Sequence, residues 1–162
     1  MSILLEANSG GPAGIRFGND GTMYVAMYNS GSIVTVSNGK AETFSSNVRE
    51  PIALDWDDSE NLYVSNFAGD ATITKIAPNG SKEDFAKIAQ LSTISSLCLD
   101  SENSIYVTSY DSGDIYKVTQ NGNVSLFSTT GASGFSFLQF DETNDKFYAN
   151  VARTNRIMEI DK

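Results

Sequence analysis

The chain has 162 residues, 40% hydrophobic and 10% aromatic, which suits one folded domain, and no apolar run nears the roughly 18 residues a membrane span requires. Its 20 acidic against 11 basic residues give a formal charge of −9, which would repel a phosphate backbone and argues against nucleic-acid binding, so a cationic partner, a small molecule or a peptide fits better. The single Cys98 forms no internal disulfide, and the start Met1-Ser2-Ile3-Leu4-Leu5-Glu6 lacks the basic residues and long apolar stretch of a signal peptide, so a cytoplasmic location is expected.

The predicted elements repeat from one end of the chain to the other. The first apolar strand, 2–6, has Leu5 seven residues before Pro12, just as Phe44 stands seven before Pro51. Next come an inner strand at 13–17, a turn at Asn19-Asp20-Gly21, a hairpin at 22–36 and an outer strand around Phe44. The second unit runs through 52–56, the acidic turn 57–61, the hairpin 61–76 and a strand around Phe85. The third has 95–99, the turn 100–103, the hairpin 104–118 and a strand around Phe127. The fourth has 135–140, the turn 141–145 and the hairpin 146–160, and there the chain stops. The aligned tyrosines Tyr24, Tyr63, Tyr106 and Tyr148 lie 39, 43 and 42 residues apart, and Ile33, Ile73, Ile115 and Ile157 lie 40, 42 and 42 apart.

A period of about 40 residues made of short strands predicts an all-β propeller. Four four-stranded antiparallel blades are expected over approximately 11–46, 50–87, 93–129 and 133–162, the last completed by 1–8. Such a chain closes by itself as a monomer or exchanges strands in a homodimer. The Asp- and Asn-rich turns need no calcium to explain them, because these side chains bond nearby amides and tolerate positive φ, and neither 57–61 nor 141–145 has the twelve-residue ligand spacing of an EF-hand.

Three patterns are candidates for a site. Arg16, Asp55, Cys98 and Gln139 share one inner-strand position whose neighbours are apolar, which places them on the channel side, either as an Arg16–Asp55 pair joining adjacent blades or as the polar floor of a pocket. Tyr28, Phe67 and Tyr110 each follow an aligned tyrosine by four residues, with Ala152 in the fourth unit; alternation puts Tyr28 on the face of Tyr24, so these rings end the blade core or line a channel mouth. The turn residues Asn29, Asp70, Asp111 and Arg153 stand beside them, and Arg153 reads as a lone cation facing acidic turns, placed to hold an anionic group. No catalytic residue, metal site or cofactor is assigned.

The run D-x-x-x-N-x-Y-V, then G-x-I-x-x-V and N-G, with Asn155-Arg156-Ile157 in the last unit, resembles the blades of NHL-repeat and SMP-30/gluconolactonase-like propellers, including streptogramin lyases. The resemblance covers essentially the whole chain and implies the propeller fold, although that family usually has six blades in one chain. Its lyases rely on catalytic histidines and a metal, and this chain has no His. Its lactonase-like enzymes hold a divalent ion with Glu, Asn and Asp at the starts of the inner strands, and here only Glu50 stands at such a start. No G-x-S-x-G occurs either. The expected function is therefore a non-catalytic binding propeller that holds a small molecule or peptide at the channel mouth. The alternatives are a degenerate metal-dependent hydrolase using Glu50, Asp55 and Asp111, or a structural assembly module.

Overall fold

The computed structural model describes residues 10–67 and 69–162. Among these residues fifteen strands form four antiparallel sheets, with one 3-10 turn between the last two strands. The first is β1 (Pro12–Phe17), β2 (Met23–Met27), β3 (Ser32–Ser37) and β4 (Lys40–Ser46). The second is β5 (Pro51–Trp56), β6 (Leu62–Asn66), β7 (Thr72–Ile76) and β8 (Lys82–Lys87). The third is β9 (Ser96–Leu99), β10 (Ile105–Thr108), β11 (Asp114–Val118) and β12 (Val124–Thr129). The fourth has three strands among the described residues: β13 (Phe135–Asp141), β14 (Lys146–Val151) and β15 (Arg156–Asp161). The expected closing strand at the N-terminus lies outside the described residues.

Each sheet is a meander in sequence order, the connectivity of a propeller blade, and the inner strands β1, β5, β9 and β13 face one another. Local chemistry sets both ends of the blades. At one end the acidic turns fold on themselves: Asp57 Oδ1 accepts from the amides of Ser59 and Asn61 at 2.9 and 2.8 Å. Asp100 Oδ1 accepts from Glu102 and Ser104 at 2.9 and 2.8 Å. At the other end each β2–β3-type hairpin needs a left-handed residue, and Gly31, Ala71, Gly113 and Asn155 fill that place with φ of +61°, +46°, +72° and +53°. The segments leaving the first three blades are pinned there, the amides of Val48, Ile88 and Thr130 donating to the carbonyls of Gly31, Ala71 and Gly113 at 2.8, 3.0 and 3.2 Å.

The blades pack through a repeated junction. One face of each of the first three blades carries the tyrosine, the hairpin isoleucine and the outer-strand phenylalanine, and it covers an apolar row on the next blade. Tyr24, Ile33 and Phe44 meet Leu54, Leu62, Val64 and Ile76. Tyr63, Ile73 and Phe85 meet Leu97, Ile105, Val107 and Val118, and Tyr106, Ile115 and Phe127 meet Leu138, Phe147 and Ala149. The pattern stops at the ends of the row. Ile33, Ile73 and Ile115 are fully buried, whereas Ile157 is 81% exposed. On the first blade, Ile15 and Phe17 are 55% and 64% exposed, whereas Leu54, Leu97 and Leu138, which share the place of Ile15, are at most 3% exposed. A matched pair of truncations follows: Ile115→Ala should cost about 2–5 kcal/mol in urea unfolding, and Ile157→Ala less than about 0.5.

Candidate functional site

The four inner strands line an open cavity of about 450 Å³. Its walls are Ile15, Ile52, Leu54, Leu97 and Phe137, interspersed with the hydroxyls of Ser95, Ser96 and Ser136. Arg16 forms its polar part. The guanidinium forks onto Asp55, Nε to Oδ1 at 3.1 Å and Nη2 to Oδ2 at 3.3 Å, and Nη2 also donates to Gln139 Oε1 at 2.9 Å. Asp55 Oδ2 in turn accepts from the Leu99 amide at 2.9 Å, so three blades converge on one carboxylate and a fourth on the same arginine. Cys98, at the fourth equivalent place, is buried, and burial pushes its thiol well above the ordinary range. β1 approaches β5 closely enough that a Cβ at Gly14 would lie 2.4 Å from the Ile52 carbonyl oxygen.

The hairpin-turn residues do not line this cavity; they form two separate groups. In the first, Tyr28 and Phe67 meet edge to face with centroids 6.0 Å apart. Asn29 lies where a Cβ on Gly11 would strike its amide, at 2.7 Å. Asp70 is ion-paired with Arg49 at 2.9 Å. In the second, Arg153 lies over the Tyr110 ring, 4.8 Å from its centroid, and reaches Asp111 at 3.6 Å and Ser133 Oγ at 3.2 Å. Arg153 is thus not a lone cation: Arg49, from the connection between β4 and β5, pairs with the turn residue Asp70, and Arg153 is itself held by an aromatic ring and a carboxylate. The neighbouring blades bring this group together, because the Gly134 amide donates to the Tyr110 carbonyl at 2.6 Å.

Sequence reasoning undervalued Glu50. It adopts φ +38°, its carbonyl accepts from the Phe67 amide at 3.0 Å, and its Oε2 is buried without a hydrogen-bond partner. Burial, then the nearby Glu50 carboxylate, raises the Tyr28 phenol above its ordinary pKa. Glu50 thus places a carboxylate beside Tyr28 on a backbone in the left-handed region. Glu50, Asp55 and Asp111 are not drawn together: among the described residues no three acidic or cysteine side chains are close enough to hold a metal ion.

No family model matches the chain, and no curated protein matches it in sequence. Solved structures do match in shape. A streptogramin B lyase superposes with a TM-score of 0.78 at 16% identity, covering 100% of this chain and 57% of the lyase. A catalytically inactive virginiamycin B lyase from Staphylococcus aureus, with quinupristin, gives 0.77 at 14% identity over 97% of this chain and 58% of its own. A nidogen/laminin complex gives 0.77 at 14% identity over 93% and 59%. The chain therefore spans less than three-fifths of each of these relatives in shape. At these identities the likeness is one of fold, and in fold the chain is a streptogramin-lyase-like β-propeller of four blades.

Proposed function

We propose that this propeller works by binding, and that it takes a small molecule or the end of a peptide into the cavity between its inner strands. The observation that carries this reading is the cavity itself, about 450 Å³ with mostly apolar walls and one arginine fork. That volume and lining are in the range of small-ligand pockets, where apolar walls supply affinity and a few polar groups fix orientation. Arg16 is already neutralised by Asp55, so it offers direction to a hydrogen-bond acceptor more than net attraction for an anion. Catalysis is less well supported, since the chain has no His for a general base and the three acids of the hydrolase reading stand apart.

Ser136 is exposed and lines the cavity, so Ser136→Trp should fill it without disturbing the core. The variant should keep the wild-type unfolding midpoint and lose the fragments that wild type binds in a ligand-observed NMR screen. Equal binding by both proteins would place the ligand elsewhere and end this reading.

A second reading, assembly, is favoured by the bare blade faces at Ile157 and Phe17. On its first blade a copy of the chain offers the exposed Ile15 and Phe17, which stand at the places of Leu54 and Trp56. Sedimentation of wild type against Ile157→Asp distinguishes the two, because an assembling chain loses its larger species on that change and a monomer shows no difference.

A further inference from the structure

The three blade junctions share a frame but differ in what fills it at the acidic-turn end. Between the second and third blades, the Tyr63 hydroxyl donates to Asp57 Oδ2 at 3.3 Å and to Gln120 Oε1 at 2.7 Å, and Lys75 Nζ lies 5.6 Å from the Tyr63 ring centroid. Between the third and fourth, the Tyr106 hydroxyl donates to Asp100 Oδ2 at 3.1 Å, with Lys117 Nζ 5.3 Å from the ring centroid. There Lys162 Nζ reaches Asp100 at 3.4 Å while standing 5.3 Å from the Phe140 ring centroid. Both junctions thus carry their own ammonium groups on their rings.

Between the first and second blades the rings remain and the fillers are gone. Tyr24 meets Phe44 and Trp56 edge to face, with centroids 5.1 and 4.7 Å away. Gly18 takes the place of Asp57 and Asp100, Thr35 takes that of Lys75 and Lys117, and Pro78 takes that of Gln120 and Lys162. What results is a cleft of about 280 Å³ bounded by the three rings, Pro78 and the carboxylates of Asp20 and Glu60. Asp20 is held ionised by hydrogen bonds from Thr22, first from its amide at 2.9 Å and then from its hydroxyl at 2.8 Å. Trp56 Nε1 is buried with no hydrogen-bond partner.

We infer that this cleft binds an organic ammonium ion, which takes the place over Trp56 that the Lys162 ammonium takes over Phe140. Aromatic faces attract a cation through their negative quadrupole, and carboxylates at the rim add Coulomb attraction, the combination used for alkylammonium recognition. The chain's charge of −9 draws cations toward it from a distance. The site is separate from the inner-strand cavity, sharing none of its lining residues.

Trp56 is the single tryptophan, so its fluorescence reports the cleft directly. Tetramethylammonium titrated at constant ionic strength should give a saturable change, and sodium and the neutral isostere tert-butanol should not. n-Butylammonium, the end of a lysine side chain, run in parallel tells a primary amine of a peptide from a free quaternary amine by which binds more tightly. Glu60→Gln, at an exposed position, should weaken binding several-fold, and Pro78→Lys should abolish it by supplying an internal ammonium, as Lys162 does elsewhere. A response to tert-butanol equal to that of tetramethylammonium, no saturable response to either cation, or unchanged binding by Pro78→Lys would each overturn the inference.

Discussion

Asp100→Ala should destabilise the chain by about 3–5 kcal/mol in urea or thermal unfolding, among the largest single-residue losses it can show. The carboxylate is completely buried at its side chain and ties together five groups. Oδ1 holds the amides of Glu102 and Ser104, and Oδ2 holds the Tyr106 hydroxyl at 3.1 Å, Lys162 Nζ at 3.4 Å and Lys117 Nζ at 4.0 Å. Truncation leaves a buried phenol and two turn amides without an acceptor, each an uncompensated desolvation of about 1–3 kcal/mol where water cannot enter. It also frees Lys162, whose remaining partners Glu102 and Asp145 are mostly exposed. Asp57→Ala is the internal control, because Asp57 caps the same turn and accepts from Tyr63 with no lysine on it. Asp100→Ala should therefore cost more than Asp57→Ala. Equal losses would mean that the lysines contribute no more to Asp100 than the Asn61 side-chain amide, which donates to Asp57 Oδ2 at 2.9 Å, contributes to Asp57.

The architecture was legible because the repeat is written twice, in tyrosines and in isoleucines, and because strands of alternating pattern between Asp- and Gly-rich turns leave little room for another fold. The pairing of Arg16 with Asp55 was also within reach, since both stand at one repeat position and one blade apart. Contacts between unlike positions were not. Arg153 meets Tyr110 only because the fourth blade's entry strand hangs from the third blade's hairpin, a relation that no spacing within either segment announces. Ile157 looks the same as Ile115 in sequence, and its exposure depends on whether another blade stands beside it. The cleft at Trp56 is a third case. Gly18, Thr35 and Pro78 are unremarkable singly, and they make a space only when two blades are brought together with their counterparts in the other junctions for comparison. What a repeat conserves is its frame, and function is most readable where the frame is kept and its filling is not.

Raising the pH from 10 to 12 should remove about 5 kcal/mol of stability through Tyr63 and Tyr106 alone. Both are fully buried, and both have phenols pushed well above the ordinary value of 10.0, first by burial and then by the carboxylates that accept from them, Asp57 and Asp100. In the unfolded chain each ionises near pH 10; in the folded chain each keeps its proton. Above pH 10 the unfolded state therefore binds fewer protons than the folded one, and stability falls by about 1.4 kcal/mol per pH unit for each tyrosine until the folded-state value is reached. Below pH 10 both states are protonated and this contribution is flat. Urea unfolding at pH 8, 10 and 11 measures the slope, and near-ultraviolet absorbance shows whether the tyrosinates appear with unfolding. Tyr106→Phe separates the two sources: it should be less stable than wild type at pH 8, having lost the bond to Asp100, and should show about half the tyrosine-driven decline above pH 10. A decline unchanged by Tyr106→Phe would mean that the alkaline loss does not arise from the Tyr106 phenol, and would overturn this account.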